Sequence, residues 1–345
     1  MRGIALADGD RLRWLPKAEL HCHIEGAAMP ALAIRQAERY GIDLSDILEA
    51  ENYRWHDFTS FLAGYDRVST AFRTEDDFAL LAADHLARLS ACGTLYAEIF
   101  VSPDHARSAG LDPKAYVAGL AEGMRQAEAQ SGIVSRMIVV GVRHLGAEAV
   151  ETTAEFAAQC AHPLVTGFGV AGDERQGRPR DFARAFDIAR DAGLGLTAHA
   201  GELCAHEAVA ETLDALRPER LGHGVRAAES PDLVSRIVET GIVLEVCPGS
   251  NLALGLYPDL AAHPLRALHQ AGAKVTVNAD DPPFFATSLA NEYRLAAEQG
   301  FSEAELVGLT RTAIEAAFVD AATRRQLLDR LQLAALRLGA PAAPA

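Results

Sequence analysis

Residues 195–247 read GLTAHAGELCAHEAVAETLDALRPERLGHGVRAAESPDLVSRIVETGIVLEVC, and their rhythm decides the fold. Gly195–Ala200 is a short apolar run that predicts a strand, with His199 at its end. Ala205–Leu216 has helical periodicity and stops at Pro218. Arg220–His223 reads as a second short strand, again ending in a histidine. Asp232–Thr240 is a helix with Pro231 at its start and Gly241 past its end, the expected asymmetry of helix termini. Ile242–Cys247 is a third strand. Strands that alternate with helices in this way predict a parallel sheet, because a parallel crossover needs a connection about as long as a helix.

The same alternation extends in both directions. Upstream, Leu95–Val101, Arg136–Val142 and Val165–Val170 read as strands, separated by helical stretches over Pro113–Gln130, Ala147–Cys160 and Arg180–Ala192. Downstream, a helix over Leu260–Ala271 leads into a strand over Lys274–Asn278, which ends in Asp280-Asp281. The first extended stretch is Ala18–Ile24, followed by a helical region that runs to about Ser90. Eight strand candidates, most followed by a helix, predict an α/β fold closed into a (β/α)8 TIM-type barrel. The expected organisation is one domain over residues 1–345, with a helical insertion after strand 1 and extra C-terminal helices from Ser288 to about Leu338. The Gly, Ala and Pro tail at 339–345 is expected to fray. A doubly wound open sheet is the competing architecture, but no Gly-x-Gly-x-x-Gly follows the first strand.

Composition narrows the partners. The chain has 345 residues, with 32 Lys and Arg against 47 Asp and Glu, a formal charge of −15. Hydrophobic residues make up 49% and charged residues 23%, which excludes a disordered chain. The acidic balance argues against a general nucleic-acid binder or a basic membrane-surface protein, since both need a cationic face. It leaves room for a small-molecule substrate, and for a homo-oligomer. No apolar run is long enough for a membrane span, and residues 1–17 do not have the pattern of a secretory signal. The five cysteines are scattered, odd in number and without a CxxC pair, which fits a reducing cytoplasm.

Polar residues collect where a barrel places its chemistry. His21 and His23 end strand 1, Gly172 follows strand 4, His199 ends strand 5 and His223 ends strand 6; Asp280 and Asp281 end strand 8. In a parallel barrel these positions converge on one face. Residues i and i+2 of a strand point the same way, so His21 and His23 face the barrel mouth together while Cys22 faces away as a small core residue. Three imidazoles (His21, His23, His199) and the Asp280 carboxylate make a set of three nitrogens and one oxygen, which suits a catalytic zinc with an open position for water. His223 is placed to orient such a water or to take its proton, and Asp281 to accept a hydrogen bond from it. For Glu202, three residues past His199, two readings stand: a buried proton donor, or a solvated acid at the start of the next helix.

Several motifs join these residues: Leu15-Pro-Lys-Ala-Glu-Leu-His21-Cys-His23-Ile-Glu25-Gly26, Val170-Ala-Gly172-Asp-Glu174, His199-Ala-Gly-Glu202, Gly222-His223-Gly224-Val225, Cys247-Pro-Gly-Ser250-Asn251 and Asn278-Ala-Asp280-Asp281-Pro282. In these the chain resembles the adenosine deaminase family of the amidohydrolase superfamily. The resemblance implies a (β/α)8 barrel with one zinc, held by His21, His23, His199 and Asp280, that removes the 6-amino group of an adenine ring by hydrolysis. It implies that Glu202 protonates purine N1, that His223 and Asp281 position the attacking oxygen, and that His23, Glu25, the Gly172 backbone and Asp281 contact substrate. Dinuclear relatives in the superfamily place a lysine at the end of strand 4, and Gly172-Asp173-Glu174 lacks one. The resemblance points first to adenosine and 2′-deoxyadenosine. Adenosine deaminases, however, usually carry His-x-His-Leu-Asp-Gly, and Glu25 here also resembles the adenine and aminodeoxyfutalosine deaminases of the same branch. A glutamate there either reaches a ribose hydroxyl or fills the space ribose would take.

Trp55, Phe58 and Phe61 lie in a helical stretch after the first strand. Two readings stand for them: an apolar lid that keeps water from the metal site, or ordinary packing of a helix on the barrel.

Overall fold

The computed structural model describes residues 8–49 and 52–339. Its main sheet has eight parallel strands in sequence order: β1 (Lys17–Glu19), β2 (Thr94–Val101), β3 (Val134–Val142), β4 (Val165–Ala171), β5 (Gly195–Ala200), β6 (Arg220–His223), β7 (Val243–Val246) and β8 (Lys274–Val277). Each strand pairs in parallel with its chain neighbour. This is the predicted TIM-type barrel. Residues 340–345, most of the tail expected to fray, lie outside the described residues.

The barrel closes at its carboxyl-terminal rim, through the segment after β1. Asp280 N–H donates to His21 O (2.9 Å) and His23 N–H donates to Asp280 O (3.1 Å). On the other side, Phe100 N–H donates to Cys22 O (2.8 Å) and Ile24 N–H to Phe100 O (3.0 Å). The predicted strand over Ala18–Ile24 is therefore split. Regular pairing ends at Glu19, and side chains take over the next positions: Leu20 N–H donates to Asn278 Oδ1 (2.9 Å) and His21 N–H to Glu19 Oε1 (3.2 Å). Periodicity cannot reveal this, because the intervening residues, Leu20 and His21, are as buried as those of a paired strand.

The expected insertion follows β1 as helices over Pro30–Tyr40, Phe58–Ser69 and Glu75–Ser90, with a small hairpin that pairs Leu48–Glu49 with Asn52–Tyr53. The buried Asp77 carboxylate ties the first of these helices to the last by accepting from Gln36 Nε2 (2.8 Å), Arg39 Nη1 (2.7 Å) and Tyr40 OH (2.5 Å). Helices over Leu289–Glu298, Glu303–Ala316 and Ala321–Arg337 complete the C-terminal side. Two predicted helices are shorter than expected. The one anticipated over Leu260–Ala271 begins only at Leu265, and the one over Arg180–Ala192 starts as a 3-10 turn (Pro179–Phe182) before Ala183–Asp191. Among the described residues no helix is long and apolar enough to cross a membrane.

The interior of the barrel is apolar above and charged below. Phe100, Ile138, Val140 and Ala171 form a cluster inside the sheet. Beneath the rim, buried Arg220 donates from Nε to Glu245 Oε1 (2.7 Å), from Nη2 to Glu98 Oε2 (2.5 Å) and from Nη1 to Ala316 O (2.9 Å), with its guanidinium 3.7 Å from the centre of the Phe318 ring. One cation between two carboxylates satisfies a layer that three different strands contribute. Removing the cation alone leaves uncompensated buried charge, which costs about 3–5 kcal/mol. Arg220→Met is accordingly expected to lower unfolding stability by about that amount in urea titrations, and a loss below about 1 kcal/mol would contradict this account.

Candidate active site

Four of the predicted ligands meet at the rim. One coordinating atom each from His21, His23, His199 and Asp280 lies within 4.8 Å of all the others. His23 Nε2 and His199 Nε2 face each other at 3.2 Å, and Asp280 Oδ1 lies 3.4 Å from His21 Nε2 and 3.5 Å from His23 Nε2. Burial holds His23 down at about 3 and His199 well below its ordinary range, which favours neutral rings, each with one nitrogen lone pair to offer. His21 Nε2 is buried with no hydrogen-bond partner. Two facing imidazole nitrogens, an unpartnered third, and a carboxylate that resists the cost of burial and is held well below its usual range by His21, His223 and His23 form a donor set that fits a divalent cation.

The surroundings explain the arrangement. Glu245 Oε2 lies 2.9 Å from His21 Nδ1, while Glu245 Oε1 accepts from Arg220 and from Thr197 Oγ1 (3.0 Å). That carboxylate fixes the His21 ring and directs Nε2 at the cluster, as carboxylates behind metal-binding histidines do. Burial alone would lower His21, but Asp280 and Glu245 outweigh it and raise the group to about 9; their field favours positive charge at this point. Gly222 keeps the centre open, since a Cβ there would stand 2.8 Å from His21 Cε1 and 3.1 Å from His199 Nδ1. A second combination, His21, His223, Cys247 and Asp280, also lies close enough to hold an ion. It fits less well, because burial raises the Cys247 thiol far above its usual range and its Sγ already contacts Glu245 O (3.5 Å). Cys22 is fully buried and belongs to neither set.

Glu202, His223, Asp281 and Gly172 line the same cavity as His23, His199 and Asp280. Glu202 is buried rather than solvated. Burial, then Asp280, then Glu174 push its carboxyl well above the usual range, which favours its neutral form. Its Oε1 lies 3.6 Å from His223 Nε2. Burial and the adjacent Asp280 likewise raise Asp281, whose Oδ1 is buried without a partner. Gly26 makes room for that carboxylate, because a Cβ would come within 1.6 Å of Asp281 Oδ1. His223 and Asp280 both adopt left-handed backbone (φ 59° and 61°), a conformation that side-chain-bearing residues seldom take outside functional sites.

Glu25 is placed differently from the other predicted residues. Its carboxyl is buried, does not line the cavity, and accepts from Tyr116 OH (2.6 Å) and Tyr65 OH (3.0 Å). Tyr65 does line the cavity and turns its hydroxyl away from it, onto Glu25. The aromatic stretch divides as well. Phe58 and Phe61 line the cavity, whereas Trp55 packs behind them and donates from Nε1 to Phe284 O (2.8 Å).

Four residues that support the site were given no role by the sequence reading: Glu245, Tyr65, Tyr116 and Glu174. The Glu174 carboxylate accepts four successive backbone N–H groups, from Gly201 on Oε1 (2.6 Å) and from Glu202 (3.0 Å), Leu203 (2.7 Å) and Cys204 (2.9 Å) on Oε2. It holds the loop that carries Glu202. The Gly-Asp-Glu motif marks the residue but not its partners, which lie 27–30 positions away.

The adenosine deaminase family model matches residues 16–334. The adenine deaminase of Chelativorans sp. (strain BNC1) is 60% identical over 319 residues, which cover 92% of this chain and 98% of the relative. That of Rhizobium leguminosarum bv. trifolii (strain WSM2304) is 58% identical over 318 residues, 92% of this chain and 99% of the relative. Among solved structures, the adenine deaminase from Arthrobacter aurescens aligns with a TM-score of 0.86 at 33% identity, covering 92% of this chain and 98% of its own. An amidohydrolase from Burkholderia ambifaria with bound Zn aligns with a TM-score of 0.85 at 28% identity, covering 98% and 96%.

The Glu174 clamp yields a local test. Glu174→Gln puts an amide N–H2 where the carboxylate accepts from Gly201. Losing charge-assisted hydrogen bonds worth about 1.5–3 kcal/mol should speed amide exchange at residues 201–204 by roughly 10–100-fold, with β5 itself still protected. Unchanged exchange in that loop would show that the clamp does not hold it.

Proposed function

Because the chain belongs to the adenosine deaminase family, we propose that it is a zinc-dependent hydrolytic deaminase of adenine, converting the base and water to hypoxanthine and ammonia. The observation that carries the choice of adenine over adenosine is the Glu25 carboxyl, engaged by Tyr65 and Tyr116 instead of facing the cavity. A ribose-binding role would require that carboxyl to be free. The relatives that are 58–60% identical, and a structural neighbour at 33% identity, bear the name adenine deaminase, which supports the same reading.

In this reading His21, His23, His199 and Asp280 hold one zinc ion. The ion supplies a water acidic enough, with a pKa near about 7, to react at neutral pH. The ring lies in the cavity with N1 toward Glu202 and the Gly172 backbone along its edge. The neutral Glu202 carboxyl donates its proton to N1, which draws electrons from C6 and opens that carbon to addition. His223 and Asp281 orient the oxygen that adds to C6. Of the two protons of the adding water, one passes to the amine, which leaves as ammonia, and the other restores the proton that Glu202 gave to N1; the ring keeps the oxygen. Phe58 and Phe61 wall off bulk water from the reacting end. Adenine fits an acidic protein because the base carries no phosphate.

A substrate panel of adenine, adenosine, 2′-deoxyadenosine and a 5′-modified adenosine tests the proposal. Adenine is expected to exceed every nucleoside in kcat/KM by about 10³-fold or more, in the range by which polar sites reject an ill-matched analogue. Turnover of adenosine faster than adenine would overturn it. Metal dependence is tested separately. Dialysis against a chelator should abolish deamination and lower Tm, and stoichiometric zinc should restore both; full activity in metal-free protein would refute the assignment.

A further inference from the structure

His223 has a single proton to place when neutral, and the ring nitrogen that carries it decides what the cavity sees. We infer that a chain of hydrogen bonds from a backbone amide, through His263 and Asn251, fixes His223 with its proton on Nε2. The derivation starts from a donor that has no alternative. Leu265 N–H points at His263 Nδ1 (3.3 Å), so that nitrogen must accept. Burial lowers His263 to about 4, which keeps the ring neutral, and its one proton therefore sits on Nε2. His263 Nε2 faces Asn251 Oδ1 at 3.1 Å and donates to it. With its oxygen used, Asn251 turns its amide nitrogen to His223, where Nδ2 lies 3.2 Å from Nδ1. An amide N–H2 can only donate, so His223 Nδ1 accepts and Nε2–H projects toward the cavity.

Every participant is buried and held. His223 is 1% exposed, Asn251 0% and His263 3%. Gln299 Nε2 anchors the turn before the relay by donating to His263 O (2.8 Å) and Leu260 O (2.6 Å). The Asn251 backbone N–H is bound to Cys247 O (3.0 Å) in the short helix Pro248–Ala253. Glu202 Oε1 lies 3.6 Å and Asp280 Oδ2 4.0 Å from His223 Nε2, both on the cavity side. His223 is thus set as a hydrogen-bond donor to the attacking oxygen, and in the resting protein it is not the base that receives a proton. Asn251 and His263 are positioning residues, since neither lines the cavity nor belongs to a set that could hold a metal.

The inference rests on the deaminase reading only for its effect on turnover; the tautomer itself is read independently. In zinc-loaded protein labelled with ¹⁵N-histidine, His223 resonances (assigned by comparison with His223→Ala) should report protonated Nε2 and bare Nδ1. Asn251→Asp offers acceptors to both neighbours and should move the proton to Nδ1. Zinc content should be unchanged while kcat falls by about 10²–10⁴-fold, the scale set by a wrong histidine tautomer in other hydrolases. His263→Leu removes the polarity of the relay without adding charge, and should leave His223 as a mixture of tautomers. Protonated Nδ1 in the unmodified protein overturns the inference, and so does an unmoved proton in Asn251→Asp or a pure Nε2 tautomer in His263→Leu. If the tautomer behaves as stated but no purine is deaminated, the relay stands and the deaminase reading falls.

Discussion

The molecule depends on a backbone pairing at the rim, where residues 21–23 hydrogen-bond to Asp280 on one side and to Phe100 on the other. This seam closes the barrel, and the residues that form it also supply three of the four side chains that could hold a metal ion. Fold closure and ligand placement are one event. His21, His23 and Asp280 are therefore tied to the sheet by backbone hydrogen bonds, the kind of support a metal-binding set requires. The left-handed backbone at Asp280 belongs to the same arrangement. It lets the carboxylate turn inward while the backbone still completes the ladder.

Charge is distributed in layers beneath that seam. Arg220 neutralises Glu98 and Glu245, and Glu245 passes its remaining oxygen to His21. Above it, three cavity carboxyls are pushed apart by their surroundings. Asp280, among the histidines, is held well below the usual carboxylate range despite its burial, whereas burial and the proximity of Asp280 push Glu202 and Asp281 well above it. One acidic cavity thus holds carboxyls driven in opposite directions. Separating the pKa values of neighbouring groups is how a site obtains acid and base from one residue type.

The cavity differs in which of its neighbouring polar groups are free. Glu25 is engaged by two tyrosines, and Tyr65 presents its ring to the cavity. A polar contact is thereby converted into an apolar wall. By contrast, Asp281 Oδ1 is buried and without a protein partner. An engaged carboxyl asks nothing of a ligand, while a free one imposes a cost on any ligand that fails to meet it.

Much of this was legible in the chain. Alternation of short apolar runs with helical periods dictates the barrel, because strand and helix periods are local properties of side-chain order. The His-x-His pair and the polar residues at strand ends also follow from local order once the barrel is assumed, and those ligands do meet. What periodicity could not supply were contacts between distant elements. These include the break in the first strand by Asn278, the four amides gathered by Glu174, the tyrosines over Glu25, and the relay through His263 and Asn251. Each depends on a side chain meeting a partner that the sequence does not place beside it. The residues alone determined the barrel and the ligand types, since both arise from short-range pattern. Only the tertiary structure decided which polar groups are satisfied, because hydrogen-bond partnership is settled by packing across the closed sheet.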